Sequence, residues 1–114
     1  MDNTTIRDLA IEFAVDVTEL CDNIKAKSVY TNQLLRFCSS IGANAHEAKY
    51  AHSKLDFISK MEISSKECYE TEYWLELLYR TGALSDEQYK TVNNKCGTIR
   101  RKLIASIATA KKGL

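Results

Sequence analysis

Side chains able to do chemistry crowd the stretch from Lys66 to Leu84, KECYETEYWLELLYRTGAL, where Glu67, Glu70, Glu72 and Glu76 alternate with Tyr69, Tyr73, Tyr79 and the single tryptophan, Trp74. Carboxylates at this density suit three tasks: ligating a metal, passing protons, or pairing with cations on a surface. Di-metal carboxylate sites in helical bundles need a Glu-x-x-His pair on each of two helices, so that carboxylate and imidazole share a face. No glutamate here has a histidine three residues on, and His46 and His52, six apart, fall on nearly opposite sides of a helix and form no HExxH. Neither a nucleophile with its base nor a glycine-rich phosphate loop is present in the pattern. Glu67 with Glu70, and Glu72 with Glu76, do share helix faces, but proton transfer needs an enclosing pocket that a narrow bundle seldom supplies. Solvated faces and ion pairs to the last helix are the favoured reading of these acids, with no metal and no cofactor expected.

The elements that must position these residues are helices. Among 114 residues there is no proline and there are four glycines, so long helices are permitted throughout. Ile6, Leu9, Phe13, Val17, Leu20 and Ile24 recur at steps of three and four, and Thr5 with Asp8 is a capping pair, which predicts a helix over about 5–26. Leu34, Cys38, Ile41, Ala45 and Ala48 draw the inner stripe of a second helix over about 30–50, its small residues allowing close approach by a neighbour. Ser53 and Asp56 open a third helix of about thirty residues, with Leu55, Ile58, Leu75 and Leu78 pointing inward and Gly82 suited to a left-handed stop. Ser64 with Glu67 also matches a cap signature inside that run; without glycine or proline there, a continuous helix is the expectation. The SDEQ box at Ser85–Gln88 starts the fourth helix, whose core face is Tyr89, Val92, Cys96, Ile99, Leu103 and Ile107. Four such helices with short connections predict an all-α, antiparallel up-down-up-down four-helix bundle forming one domain over 1–114.

Composition bounds the rest. Apolar residues make up 45% of the chain and charged ones 27%, as in ordinary globular proteins. No apolar run approaches the ~20 residues that span a bilayer, and MDNTTIRDLA lacks the order of a secretory signal, so a cytoplasmic location with no membrane partner is expected. Cys21, Cys38, Cys68 and Cys96 are too widely spaced for a CxxC motif and each sits at an apolar-periodic position, which predicts buried free thiols. The net charge of +1 conceals an asymmetry: residues 1–24 hold six acids against Arg7, whereas residues 88–114 hold Lys90, Lys95, Arg100, Arg101, Lys102, Lys111 and Lys112 and no acid. Lys95, Arg100, Arg101, Lys102, Lys111 and Lys112 are therefore candidate contacts for nucleic-acid phosphates, the alternative being a solvated face paired with the acids of the first and third helices.

The stretch Ser39 to Ser85, SSIGANAHEAKYAHSKLDFISKMEISSKECYETEYWLELLYRTGALS, resembles the four-helix-bundle family of proteins encoded in intervening sequences of bacterial 23S rRNA genes. It matches that family's SI-x-x-N-x-x-E, its later S-x-x-E and its E-T-x-Y-W-L-x-L-L-x-x-T-G block, with Ala48 standing where many relatives have glycine. The resemblance implies a bundle that assembles as a homo-oligomeric ring, commonly a pentamer, with no established catalytic activity. Relatives include an accessory protein of diversity-generating retroelements that engages nucleic acid. By position, the polar elements are Asn44, Glu47, Ser64 and Glu67, and the aromatic block is Tyr73 and Trp74.

These residues suggest an answer to the crowding of acids. Asn44 and Glu47 share one face of the second helix, Ser64 and Glu67 one face of the third, so the four are expected to form a buried polar core that locks helix register by mutual hydrogen bonds. Tyr69, Tyr73 and Trp74 are candidate oligomer contacts, with a purely internal role the alternative. The functional expectation is a non-catalytic binding or scaffold module whose favoured partner class, beyond its own copies, is RNA or DNA. A protein–protein adaptor comes second and an enzyme using Glu47 and Glu67 third.

Overall fold

The computed structural model describes residues 5–114; residues 1–4, part of the single domain expected over 1–114, lie outside it. Four helices follow one another: α1 (Ile6–Asp22), α2 (Ser28–Lys49), α3 (Lys54–Arg80) and α4 (Asp86–Lys112). No strand occurs among the described residues. Local chemistry sets three of the four starts. The Thr5 hydroxyl accepts from the Asp8 amide, the Ser53 hydroxyl accepts from the Asp56 amide, and Ser85 and Gln88 exchange reciprocal bonds of 3.1 and 2.8 Å. Each satisfies an amide that the first helical turn leaves unpaired.

Helix ends are equally specific. At the end of α3, Gly82 takes a φ of +84°, and the Ala83 and Gly82 amides bond back to Leu78 and Tyr79, a paired closure that only a left-handed residue completes. The first helix stops at Asp22, four residues before the expected end, because the Asn23 side chain turns back to the Glu19 carbonyl at 2.8 Å. Ile24, beyond that stop, still packs on the core. Ser64 and Glu67 lie inside unbroken α3, as expected.

The helices touch in cyclic order: α1 on α2, α2 on α3, α3 on α4, and α4 back on α1. Their shared interior is one cluster including Phe13, Val17, Leu34, Ile41, Leu75, Leu78 and Leu103, all essentially without solvent contact. Burying a side chain of this size stabilises by about 1.5–3 kcal/mol. One expectation about the core needs correction. Leu55 is 67% exposed, since it sits in the first turn of α3 at the end of the bundle, and burial begins with Ile58. From there the inner stripe runs through Met61, Ser64, Cys68 and Thr71 before reaching Leu75, so hydroxyl and thiol groups replace aliphatic ones along the middle of α3. All four cysteines are free; Cys38, Cys68 and Cys96 are buried and Cys21 half-buried. Burial pushes the Cys38 thiol up to about 12, and a bond to Cys68 together with burial pushes Cys96 upward too, so these thiols are packing groups and poor nucleophiles.

Candidate interaction surfaces

The structure does not bring Asn44, Glu47, Ser64 and Glu67 together as a mutual hydrogen-bonded set. Ser64 alone crosses between helices, donating to the Ile41 carbonyl at 2.7 Å from a fully buried position. Asn44 donates to the Ser40 carbonyl of its own helix at 2.9 Å. Glu47 is exposed and pairs with Lys60 at 3.3 Å, so it belongs to the surface and not to a polar core. Glu67 is half-buried, with one oxygen shielded from solvent and bonded to nothing. Burial, reinforced by nearby Glu70, raises its carboxyl above the ordinary range, while Lys66 and Arg36 oppose the rise. Expecting buried carboxylates to seek neutral partners overlooked a nearer option: a serine hydroxyl is short enough to use a backbone carbonyl directly.

The remaining acids of α3 act as the charge pattern indicates. Glu72 receives Arg100 in a two-pronged contact, 3.1 Å from Nε and 3.1 Å from Nη2, with both side chains mostly shielded. The same guanidinium lies over the Tyr69 ring, 4.9 Å from its centre. Glu76 pairs with Arg80 along the helix, and Glu62 with Lys111 across to α4. Lys95 reaches Asp16 of α1 at 2.8 Å. Among the candidate phosphate contacts, then, Lys95, Arg100 and Lys111 already hold carboxylates of their own chain. Arg101 touches only the Thr98 hydroxyl among side chains, and Lys102 and Lys112 make no ion pair within the described residues.

His46 is held within the chain. It accepts a bond from Arg7 at 2.9 Å and meets Tyr50 edge-on. No three His, Cys, Asp or Glu side chains cluster as metal ligands among the described residues.

Aromatic residues divide between interior and surface. Trp74 is half-buried, packed between Tyr30 and Tyr73 with ring centres 6.2 and 5.1 Å away. Tyr73 and Tyr69 are 60% and 54% exposed. Sequence reasoning passed over further exposed apolar side chains on two separate seams, Ile11 and Val15 beside α2 and Ile104 beside α3, each close to half exposed. Their signal was present: Ile11 and Val15 are four apart yet off the Phe13–Val17 stripe, and Ile104 directly follows core Leu103. Ile11 and Val15 edge a groove of about 460 Å³ between α1 and α2, floored by Ala10, Ala14, Gly42 and Ala43. Gly42 allows that floor to be shallow, because a Cβ there would stand 3.3 Å from the Ala10 methyl.

Such a chain, four helices in cyclic contact around one interior, is a helical module of the four-helix-bundle class. The match to the 23S rRNA-intervening sequence protein family spans residues 2–105, and the chain belongs to that family. Among solved structures it is similar to a protein of unknown function of the S23 ribosomal protein family from Bacteroides thetaiotaomicron VPI-5482, seen in a crystal structure at 1.70 Å resolution. The two share 43% identity over 90% of this chain and 98% of the other, with a TM-score of 0.85. Curated proteins give no match.

Proposed function

We propose that this protein is a non-catalytic, self-associating helical scaffold, built as an antiparallel up-down-up-down bundle. Contacts in which one residue number rises as the other falls support that arrangement: Tyr30 meets Trp74 while Ile41 meets Ser64, and Glu72 meets Arg100 while Glu62 meets Lys111. The observation that carries the scaffold reading is the exposure of large apolar side chains on outer helix faces, with Ile11, Val15, Tyr69, Tyr73 and Ile104 among them. Apolar side chains left in water on a folded bundle gain by burial against a partner. A copy of the same chain is the partner most often available to it. The ring, pentameric in the family it resembles, is one closed form of such self-association, inside the cytoplasm.

A second reading, contact with RNA or DNA, is favoured by Arg101, Lys102 and Lys112. These lie on α4 without carboxylate partners among the described residues, and Arg101 and Lys112, eleven residues apart, fall on one face. One subunit of net charge +1 attracts a polyanion weakly, but an assembly repeats the patch and its phosphate contacts act together. Light scattering at micromolar concentration tests the first reading: a mass several times 12.9 kDa is expected, and a monomer overturns it. Gel shifts with structured RNA and with duplex DNA at two salt concentrations test the second. A shift at low salt that Arg101→Ala/Lys102→Ala/Lys112→Ala removes is expected; no shift at low salt leaves a scaffold that meets only protein.

A further inference from the structure

We infer that the seam between α1 and α4 holds a binding site for a small arylalkyl amine, a molecule with one aromatic ring and an ammonium group on a short alkyl arm. The site goes beyond the scaffold reading and asks nothing of self-association.

This seam differs from the other three in how the chain is connected. Residues 23–27, 50–53 and 81–85 tie each helix to the next, whereas α1 and α4 meet with no connecting segment between them. The two can therefore adjust to an occupant without bending a connection. Between them lies a cavity of about 200 Å³. Its apolar lining is Leu9, Phe13 and Ile99. Phe13 and Ile99 are core residues, 2% and 3% exposed, so the cavity reaches from the surface down to the interior packing. An apolar cavity of about 150 Å³ is enough to take up benzene, which makes one ring with a short arm the scale of occupant here. Phe13 gives that ring an aromatic neighbour.

The rim supplies charge. Glu12 and Asp16 stand one turn apart on α1, and Lys95 and Thr98 face the same cavity from α4. Lys95 is committed to Asp16 at 2.8 Å, and the Thr98 hydroxyl donates to the Asn94 carbonyl at 3.1 Å. Arg101 rests on that hydroxyl at 3.3 Å but does not line the cavity. Of the charged side chains that do, only Glu12 lacks an ion-pair partner among the described residues. A cation on the occupant would meet this open carboxylate, with Asp16 adding to the attraction. An anion would meet two acids and a base already engaged. An apolar lining with one unengaged polar group at its edge is the usual plan of a small-molecule site, in which the wall holds the body and the polar group fixes orientation and choice.

Three probes of one shape separate the ring, the charge and its sign: phenethylamine, phenethyl alcohol and phenylpropionate, each titrated into the isotope-labelled full chain at neutral pH and constant ionic strength. Saturable amide shifts at Leu9, Phe13 and Ile99 are expected with the amine. The alcohol is expected to bind about threefold more weakly or worse, the range an exposed ion pair commands, and the propionate weakest of all. Glu12→Gln, at an exposed position, should erase the amine's advantage and leave the alcohol's affinity unchanged. Thr98→Trp, also exposed, should fill the cavity from its mouth and abolish the shifts with all three probes. Helical dichroism establishes that both variants fold. The inference is overturned if the amine gives no saturable shift at the seam, or if the alcohol or the propionate binds as tightly as the amine. It is equally overturned if Glu12→Gln keeps the preference for the amine, or if folded Thr98→Trp binds as the wild type does.

Discussion

The Ser64 hydroxyl donates to the Ile41 carbonyl across the α2/α3 contact at 2.7 Å, with no solvent reaching the serine. This bond ties one helix to a fixed level of the other without a charged group. Removing it by Ser64→Ala should lower stability by about 1 kcal/mol, the net worth of a neutral hydrogen bond whose acceptor keeps a helical bond of its own. Ser64→Leu should lower it by roughly 1–3 kcal/mol or more, because the site has no room for the added carbons. Urea melts of the two variants decide; equal losses would mean that the bond, and not the fit, dominates.

Two helical glycines should respond in opposite ways to alanine. At Gly97 the added methyl would lie 3.0 Å from an Arg101 nitrogen, the far end of a flexible side chain that can swing aside. Gly97→Ala should therefore stabilise by about 0.5–1 kcal/mol through helix propensity. At Gly42 the methyl would meet the Ala10 methyl at 3.3 Å, so α1 as a whole must yield. There the propensity gain is offset, and Gly42→Ala should come out neutral or destabilising, with Gly42→Val worse by a further ~1–3 kcal/mol. Thermal melts of the three proteins check the ordering.

How much of this was legible beforehand depends on which atoms carried the signal. Helices announced themselves through Thr5, Ser53, Ser85 and Gly82, whose side-chain or backbone chemistry acts within four residues. Aliphatic stripes on α1, α2 and α4 were equally readable, because Phe13, Leu34 and Leu103 leave few alternatives to burial. In the middle of α3 the sequence places Ser64 and Cys68 inside, and both are buried, but gives no sign of Thr71, whose small polar side chain is compatible with either side of a helix until a neighbour is known. The family motif and the shared face with Asn44 point Glu47 to the interior, yet three residues along a helix is also the spacing of a boundary. The ion pair with Lys60 requires a third coordinate, the distance between helices, that no periodicity contains.

Glu67 makes a pH-dependent prediction. Its carboxyl is raised in the folded chain, chiefly by burial and then by Glu70, so the folded state holds the proton more tightly than the unfolded chain does. Linkage then gives the sign: the contribution to stability is fully present below the unfolded value, near 4.5, and is lost as pH rises through the folded value. Glu67→Gln lacks that loss. The variant should gain on the wild type in stability between pH 4 and pH 7, and stay level above the folded value. Denaturant midpoints for both proteins at four or five pH values test this; a gap that is constant over the range would show that the carboxyl does not sense its burial.

Arg100 of α4 engages two groups of α3, Glu72 and Tyr69, and its geometry predicts that lysine cannot replace it. The guanidinium contacts Glu72 through both Nε and Nη2 while its face lies on Tyr69, and only a planar fork does both. Arg100→Lys keeps the charge but loses the second bond and the stacking, so it should lower stability by about 1–2 kcal/mol, against less than about 1 kcal/mol for a surface pair. A double-mutant cycle with Glu72→Gln isolates the contact, with a coupling of about 1 kcal/mol or more expected that persists at high salt because both side chains are shielded. The same cycle on Lys111 and Glu62, both half exposed, should give a smaller coupling that salt removes. Equal couplings in the two cycles would place Arg100 with the ordinary surface pairs and return it to the cations available for an outside partner.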